Sequence, residues 1–186
     1  ATSIVSSVIY AIINYKLLKR KNDHIKRETA LRAGIIDYFR AKGAANFKEQ
    51  ALASQIATMQ SIQSDSTTDD RDHNAILFTI LLFIPIVNII VQLYIAYVLT
   101  KFDYKHDRRW HAFTQQAQSA GQELGMPLVL PSWKTLPERS FVIYLILTIL
   151  TLGLFWFYWY YCFIKDLNEH FKAQWQFEDQ FLRSLQ

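Results

Sequence analysis

The run from Ser140 to Ile164 holds 25 residues without a charged side chain, whereas a helix needs only about 20 such residues to cross a hydrocarbon core of ~30 Å. Read alone, it belongs in a membrane. Arg139 closes one end, and Lys165 and Asp166 the other. Its second half carries Phe155, Trp156, Phe157, Tyr158, Trp159, Tyr160, Tyr161 and Phe163. Such rings favour a headgroup boundary, where an apolar body and a polar tip are both satisfied.

Two further runs repeat the theme, Ala75–Thr100 and the shorter Ala1–Tyr15. Residues 1–18 resemble a signal peptide in hydropathy, yet the positive charges follow the apolar run instead of preceding it, so they read as a membrane segment. That segment is short for a span, and the chain opens on Ala, so either Met has been removed or residues upstream are missing; beside the longer runs that follow, it is expected to be truncated or degenerate. Pro85 lies near the middle of the second run. It removes a donor and clashes with the preceding turn, so a kink or break is expected there, with another at Gly153 in the third. Asn88 and Gln92 stand four apart on one helix face, a spacing that suits hydrogen bonds to a neighbouring helix.

Between these runs the chain is polar. Residues 19–63 read as two amphipathic helices. The first carries Leu31, Ile35, Tyr38 and Phe39 and ends near Gly43; the second is capped by Asn46 and carries Leu52, Ile56 and Met59. Residues 64–74 read as a solvated loop, 101–139 as a polar connector rich in proline at its end, and 165–186 as an amphipathic tail. Asp69, Asp70, Asp72 and His73 come nearest to a metal cluster, but consecutive residues on a flexible loop do not converge like a coordination shell. His106 and His111 are five apart, diverge on a helix, and read as solvated. No metal, cofactor or catalytic residue is assigned.

The chain also repeats itself. YKLLKRKNDHIK falls on YCFIKDLNEHFK, so that Tyr15 meets Tyr161, Lys19 meets Lys165, Asn22 meets Asn168 and His24 meets His170. Tyr97, Lys101 and His106 form a fainter third copy. Each copy runs apolar segment, Tyr, Lys four later, His nine later. Three kinked spans would place successive polar segments on alternate sides. Three re-entrant hairpins broken near Pro85 and Gly153 would leave them on one side. Lys and Arg number eleven in residues 16–74, six in 101–139 and three in 165–186. That distribution mildly opposes alternation, yet a hairpin arm of ~11 residues reaches only about 16 Å and its turn needs satisfaction within the lipid. Kinked spans are favoured and the hairpins remain the alternative.

The segment Thr151–His170 resembles a family of small, uncharacterised prokaryotic membrane proteins defined as a domain of unknown function. The shared pattern is Thr-x-Gly, an aromatic run with Tyr-Trp, then Lys-x-Leu-Asn: here Thr151, Gly153, Tyr158, Trp159, Lys165, Leu167 and Asn168. The resemblance covers about residues 141–180, with a weaker echo at 76–106. It implies a prokaryotic cytoplasmic membrane and no established activity.

The expected fold is therefore an all-α integral membrane protein of three apolar segments with amphipathic interfacial helices. The expected function is non-catalytic, an accessory or scaffolding subunit packing against other membrane proteins or its own copies, in contact with membrane lipids and not with nucleic acid. The alternative is an oligomeric small-molecule channel or carrier. Asn88, Gln92, Trp156, Trp159, Tyr161, Lys165, Asn168 and His170 are the expected packing residues. Tyr161, Lys165 and His170 have the chemistry of an acid–base set. At 100° per residue, however, His170 points about 180° from Tyr161, so one straight helix cannot converge them.

Overall fold

The computed structural model describes residues 2–126, 128–130 and 134–185, with side chains from residue 5 onward. They form α1 (Thr2–Ala45), α2 (Glu49–Asp69), α3 (Ala75–Leu81), α4 (Val87–Glu123), α5 (Phe141–Leu150) and α6 (Leu154–Ser184), with no strand among the described residues. Ala1 and the connector residues Pro127 and Pro131 lie outside the described residues.

The helical class stands, but the membrane spans do not. No helix among the described residues is long and apolar enough to cross a membrane. Each long run is cut by the residues that sequence chemistry marks. At Pro85 the chain leaves the helix between Leu82 and Ile86, and Ile86 adopts a φ of 68°. At Gly153 it turns through a φ of 93°, so α5 is only 10 residues long. The start of α1 does not stop at Tyr15; its helix continues into Lys16, Lys19 and Arg20. The expectation of an integral, transmembrane protein in a prokaryotic cytoplasmic membrane is thereby overturned.

Other local differences have simple causes. The α1–α2 turn is made by Phe47 at φ 55°, and Lys48 takes the N-cap position in place of Asn46, whose amide instead donates to Lys42 O at 2.7 Å. At Gly43 a Cβ would come within 2.9 Å of Leu52 Cδ1, so the missing side chain lets Leu52 of α2 seat against α1 without shifting. Helix α2 extends to Asp69, into the stretch read as a loop, and α4 runs to Glu123, through most of the polar connector. Asn74 caps α3 by accepting from Leu77 N, and Ser140 caps α5 by accepting from Ile143 N.

Two apolar cores are stacked along the bundle. The upper one joins Leu18 and Ile25 of α1, Leu99 and Phe102 of α4, and Trp159, Phe163 and Leu167 of α6. The lower one joins Ile35 and Phe39 of α1, Trp110 and Phe113 of α4, and Phe177 of α6, closed by Leu52 and Met59 of α2. Along all three long helices the upper-core residues come first and the lower-core residues later. Helices α1, α4 and α6 therefore run parallel, and the repeat copies lie side by side in register.

Candidate metal centre

Between the two cores lies a polar layer. In α1 it runs from His24 to Arg32, in α4 from Asp103 to Asp107, and in α6 from His170 to Gln174, with Ile25 and Phe171 of the upper core at its edge. Each helix places its repeat histidine there. His24, His106 and His170 are exposed by only 7%, 1% and 2%, and Glu28, one turn after His24, by 1%.

The four side chains converge. His24 Nε2 lies 3.0 Å from His106 Nε2 and 3.0 Å from Glu28 Oε2. His106 Nε2 lies 2.7 Å from the same oxygen, and His170 Nε2 4.0 Å from it. One ligand atom from each of the four lies within 4.8 Å of the others. In a tetrahedral zinc site with bonds of 2.0–2.1 Å, neighbouring ligand atoms stand about 3.3 Å apart. The cluster brackets that spacing, and its donors, three imidazoles and a carboxylate, are those a divalent transition metal takes.

The outer contacts orient the rings. His106 Nδ1 lies 2.8 Å from Asp70 Oδ2, and His170 Nδ1 lies 2.8 Å from Asp107 Oδ1. Carboxylates can only accept, so each Nδ1 carries the hydrogen and turns its Nε2 toward the cluster. Asp70 is itself fixed by Ser66 Oγ at 2.7 Å and Arg109 at 2.5 Å. Phe102 stacks on His106 with ring centroids 4.5 Å apart, and Arg32 pairs with Glu28 from the lower side.

The electrostatics follow from burial and neighbours. Desolvation, against a weaker pull from Glu28, brings His24 down to about 4, so it is neutral and can offer a lone pair to a metal in exchange for its present hydrogen bond. Desolvation likewise lowers His170. For His106 burial is outweighed by Glu28 and Asp70, which hold it up at about 9. Burial would raise the Glu28 carboxyl, but the charges of His106 and Arg32 win and keep it well below the usual carboxylate range. The cluster thus holds a buried cationic charge on His106 between two carboxylates, which is where a metal ion would substitute.

The expected packing residues are dispersed by comparison. Asn88 donates to Leu82 O at 2.7 Å and accepts from Gln92 Nε2, so the two amides brace the α3–α4 break. Trp159 is buried and donates from Nε1 to Thr100 Oγ1 at 3.0 Å, while Trp156 packs on the upper core. Tyr161, Lys165 and Asn168 are exposed; His170 faces the opposite way, into the bundle. His106, read as solvated beside His111, is buried. Of the acidic loop, Asp70 alone reaches the cluster, as an orienting partner of His106. Asp72 pairs with Lys26 at 3.2 Å, and the His73 ring lies 3.3 Å from Tyr94 Oη. Sequence reading missed Glu28, Asp107 and the convergence itself, although the repeated Tyr-Lys-His order was the signal that could have found the three rings.

Residues 139–177 match the family model described as Domain of unknown function (DUF4234). That supports an uncharacterised-domain family for this segment. No curated protein and no solved structure matches the chain. The DUF4234 match takes in α5 and most of α6, with the resemblance residues Thr151 to Asn168 inside it. His170 lies within the match; His24, Glu28 and His106 lie outside it. Its first residue, Arg139, grips Asp166 with two hydrogen bonds of 2.5 and 2.9 Å and donates to Tyr144 Oη at 2.8 Å. The DUF4234 segment is thus a helical hairpin clamped at its open end by one guanidinium.

Proposed function

We propose that this chain is a non-catalytic metal-binding protein, in which a divalent transition metal ion, zinc first among them, ties α1, α4 and α6 together through His24, Glu28, His106 and His170. The observation that carries this reading is the convergence of three neutralisable imidazole nitrogens and one carboxylate oxygen in a layer closed above and below by apolar cores. Sites with four protein ligands and no exposed face are structural in type; catalytic sites keep a position open for water or substrate. The ion would replace the proton shared between His106 and Glu28 and would convert a costly buried charge cluster into a set of bonds. An accessory or scaffolding role fits such a metal-tied bundle, because the ion adds rigidity without adding chemistry.

The test is metal content. The full chain purified without chelator and without an affinity tag of histidines should carry about one equivalent of a transition metal by mass spectrometry, and the His106→Gln variant far less. Chelator-stripped wild type that neither holds nor rebinds zinc, cobalt or nickel in a titration would sink the reading.

A further inference from the structure

The upper end of the bundle is unlike the rest of its surface. Around the α3–α4 break, Phe83, Ile84, Ile86 and Ile89 are exposed; around the α5–α6 break, Leu150, Leu152, Leu154 and Phe157 are exposed. The start of α1 adds Val5, Ile9 and Ile12. All three groups sit at one end, because Ala11, Leu82, Val91 and Trp159 share one core cluster and Tyr10 Oη meets Tyr160 Oη at 2.5 Å. Scattered apolar residues need no explanation, but a gathered set marks a contact surface.

The backbone at the tips sharpens the point. Ile86 sits at φ 68° and is 78% exposed; Leu152 sits at φ 50° and is 96% exposed. Glycine or asparagine meets that geometry with less strain, and a β-branched residue is a genuine outlier there. A tip facing water has no use for these side chains.

The border of the patch says what covers it. On α1, α4 and α6 the apolar section ends at the repeat tyrosine, with a lysine one turn on: Tyr15 and Lys19, Tyr97 and Lys101, Tyr161 and Lys165. Tyrosine settles at a headgroup boundary and lysine reaches its phosphates. The depth agrees with one leaflet: Ile86 to Lys101 spans about 22 Å along α4 and Gly153 to Lys165 about 18 Å along α6, against a full hydrocarbon core of ~30 Å. The geometry points to a lipid surface as the occupant. The two helical tips and the start of α1 dip into one leaflet without crossing it, while the Tyr-Lys collar rests on anionic headgroups and the metal layer stays outside.

The experiment is flotation of the full chain with vesicles of phosphatidylcholine and phosphatidylglycerol, set beside the double variant Ile86→Asp, Leu152→Asp. Aspartate tolerates positive φ, and both positions are exposed, so the helical circular dichroism should be kept. Wild type is expected to float and the variant to lose at least ~tenfold in partitioning. Equal flotation of the two overturns the proposal, as does wild type that stays unbound, whether as a monomer or as a dimer that the variant dissolves. If the variant does not fold, wild-type tryptophan fluorescence decides instead. Lipids brominated in mid-chain should quench it, because Trp156 packs at the inserted end, and an unquenched spectrum overturns the inference.

Discussion

Asp107 joins two distant parts of the chain: one carboxylate oxygen lies 2.8 Å from His170 Nδ1, and the other accepts from Leu136 N at 2.9 Å. The connector before α5 therefore rests on the same side chain that orients a ring of the candidate metal centre.

Asp107→Asn should leave the four ligands in place but withdraw the negative charge behind His170 and leave one acceptor oxygen for two N–H groups, those of His170 and Leu136. Metal affinity should fall about 10- to 100-fold, the usual effect of losing such a partner. Competition with a chromophoric chelator measures it. An unchanged affinity would show that Asp107 serves the connector alone.

Stripping the metal should lower thermal stability. At a free metal concentration ~100 times the dissociation constant, linkage supplies about 2.7 kcal/mol, which for a chain of this size corresponds to a melting shift of roughly 5–10 °C. Calorimetry with and without added zinc tests this. His106→Gln should melt at one temperature in both conditions.

The pH dependence of stability should carry the mark of Asp103. Burial, with Asp166 adding like charge, holds its carboxyl well above the usual range. The folded state then binds this proton more tightly than the unfolded one. Stability is therefore unaffected by Asp103 below pH ~4 and is eroded as pH rises from there toward the folded value. Asp103→Asn should stabilise the protein at pH 7 by about 1–3 kcal/mol, the scale of an uncompensated buried polar group, and by little at pH 3. Urea titrations at the two pH values would show it, and equal differences at both would contradict it.

Arg139→Leu should cost about 3 kcal/mol, because it strands the buried Asp166 carboxylate. Arg139→Lys should cost less but still be measurable, since an ammonium cannot make both bonds in one plane. Denaturant midpoints of the two variants rank them, and a silent Arg139→Leu would mean that Asp166 finds another partner.

The breaks at Pro85 and Gly153 were legible because proline and glycine act on the backbone where they stand. The run lengths misled, because 25 uncharged residues measure hydropathy and not continuity: the turn at Gly153 splits them into helices too short or too charged to cross a bilayer. The repeated histidines were visible as a pattern, and the helical wheel rightly separated His170 from Tyr161. Their meeting was not legible, since it depends on three helices running parallel in register, a property of the whole topology. Asp70 was noticed for its neighbours in sequence, yet it acts through His106, 36 residues away.

The register of α1, α4 and α6 has a further consequence. Thirteen residues after the repeat tyrosine the three helices carry Glu28, Trp110 and Gln174, each exposed by 1% or less. Three identical subunits around a common axis would have to put one residue type at all three places, and three glutamates there would crowd the interior with like charge. Joining the three units in one polypeptide frees each place to differ. One supplies an anion, one an aromatic wall and one a neutral amide, so the asymmetry of the centre is written into the order of the chain.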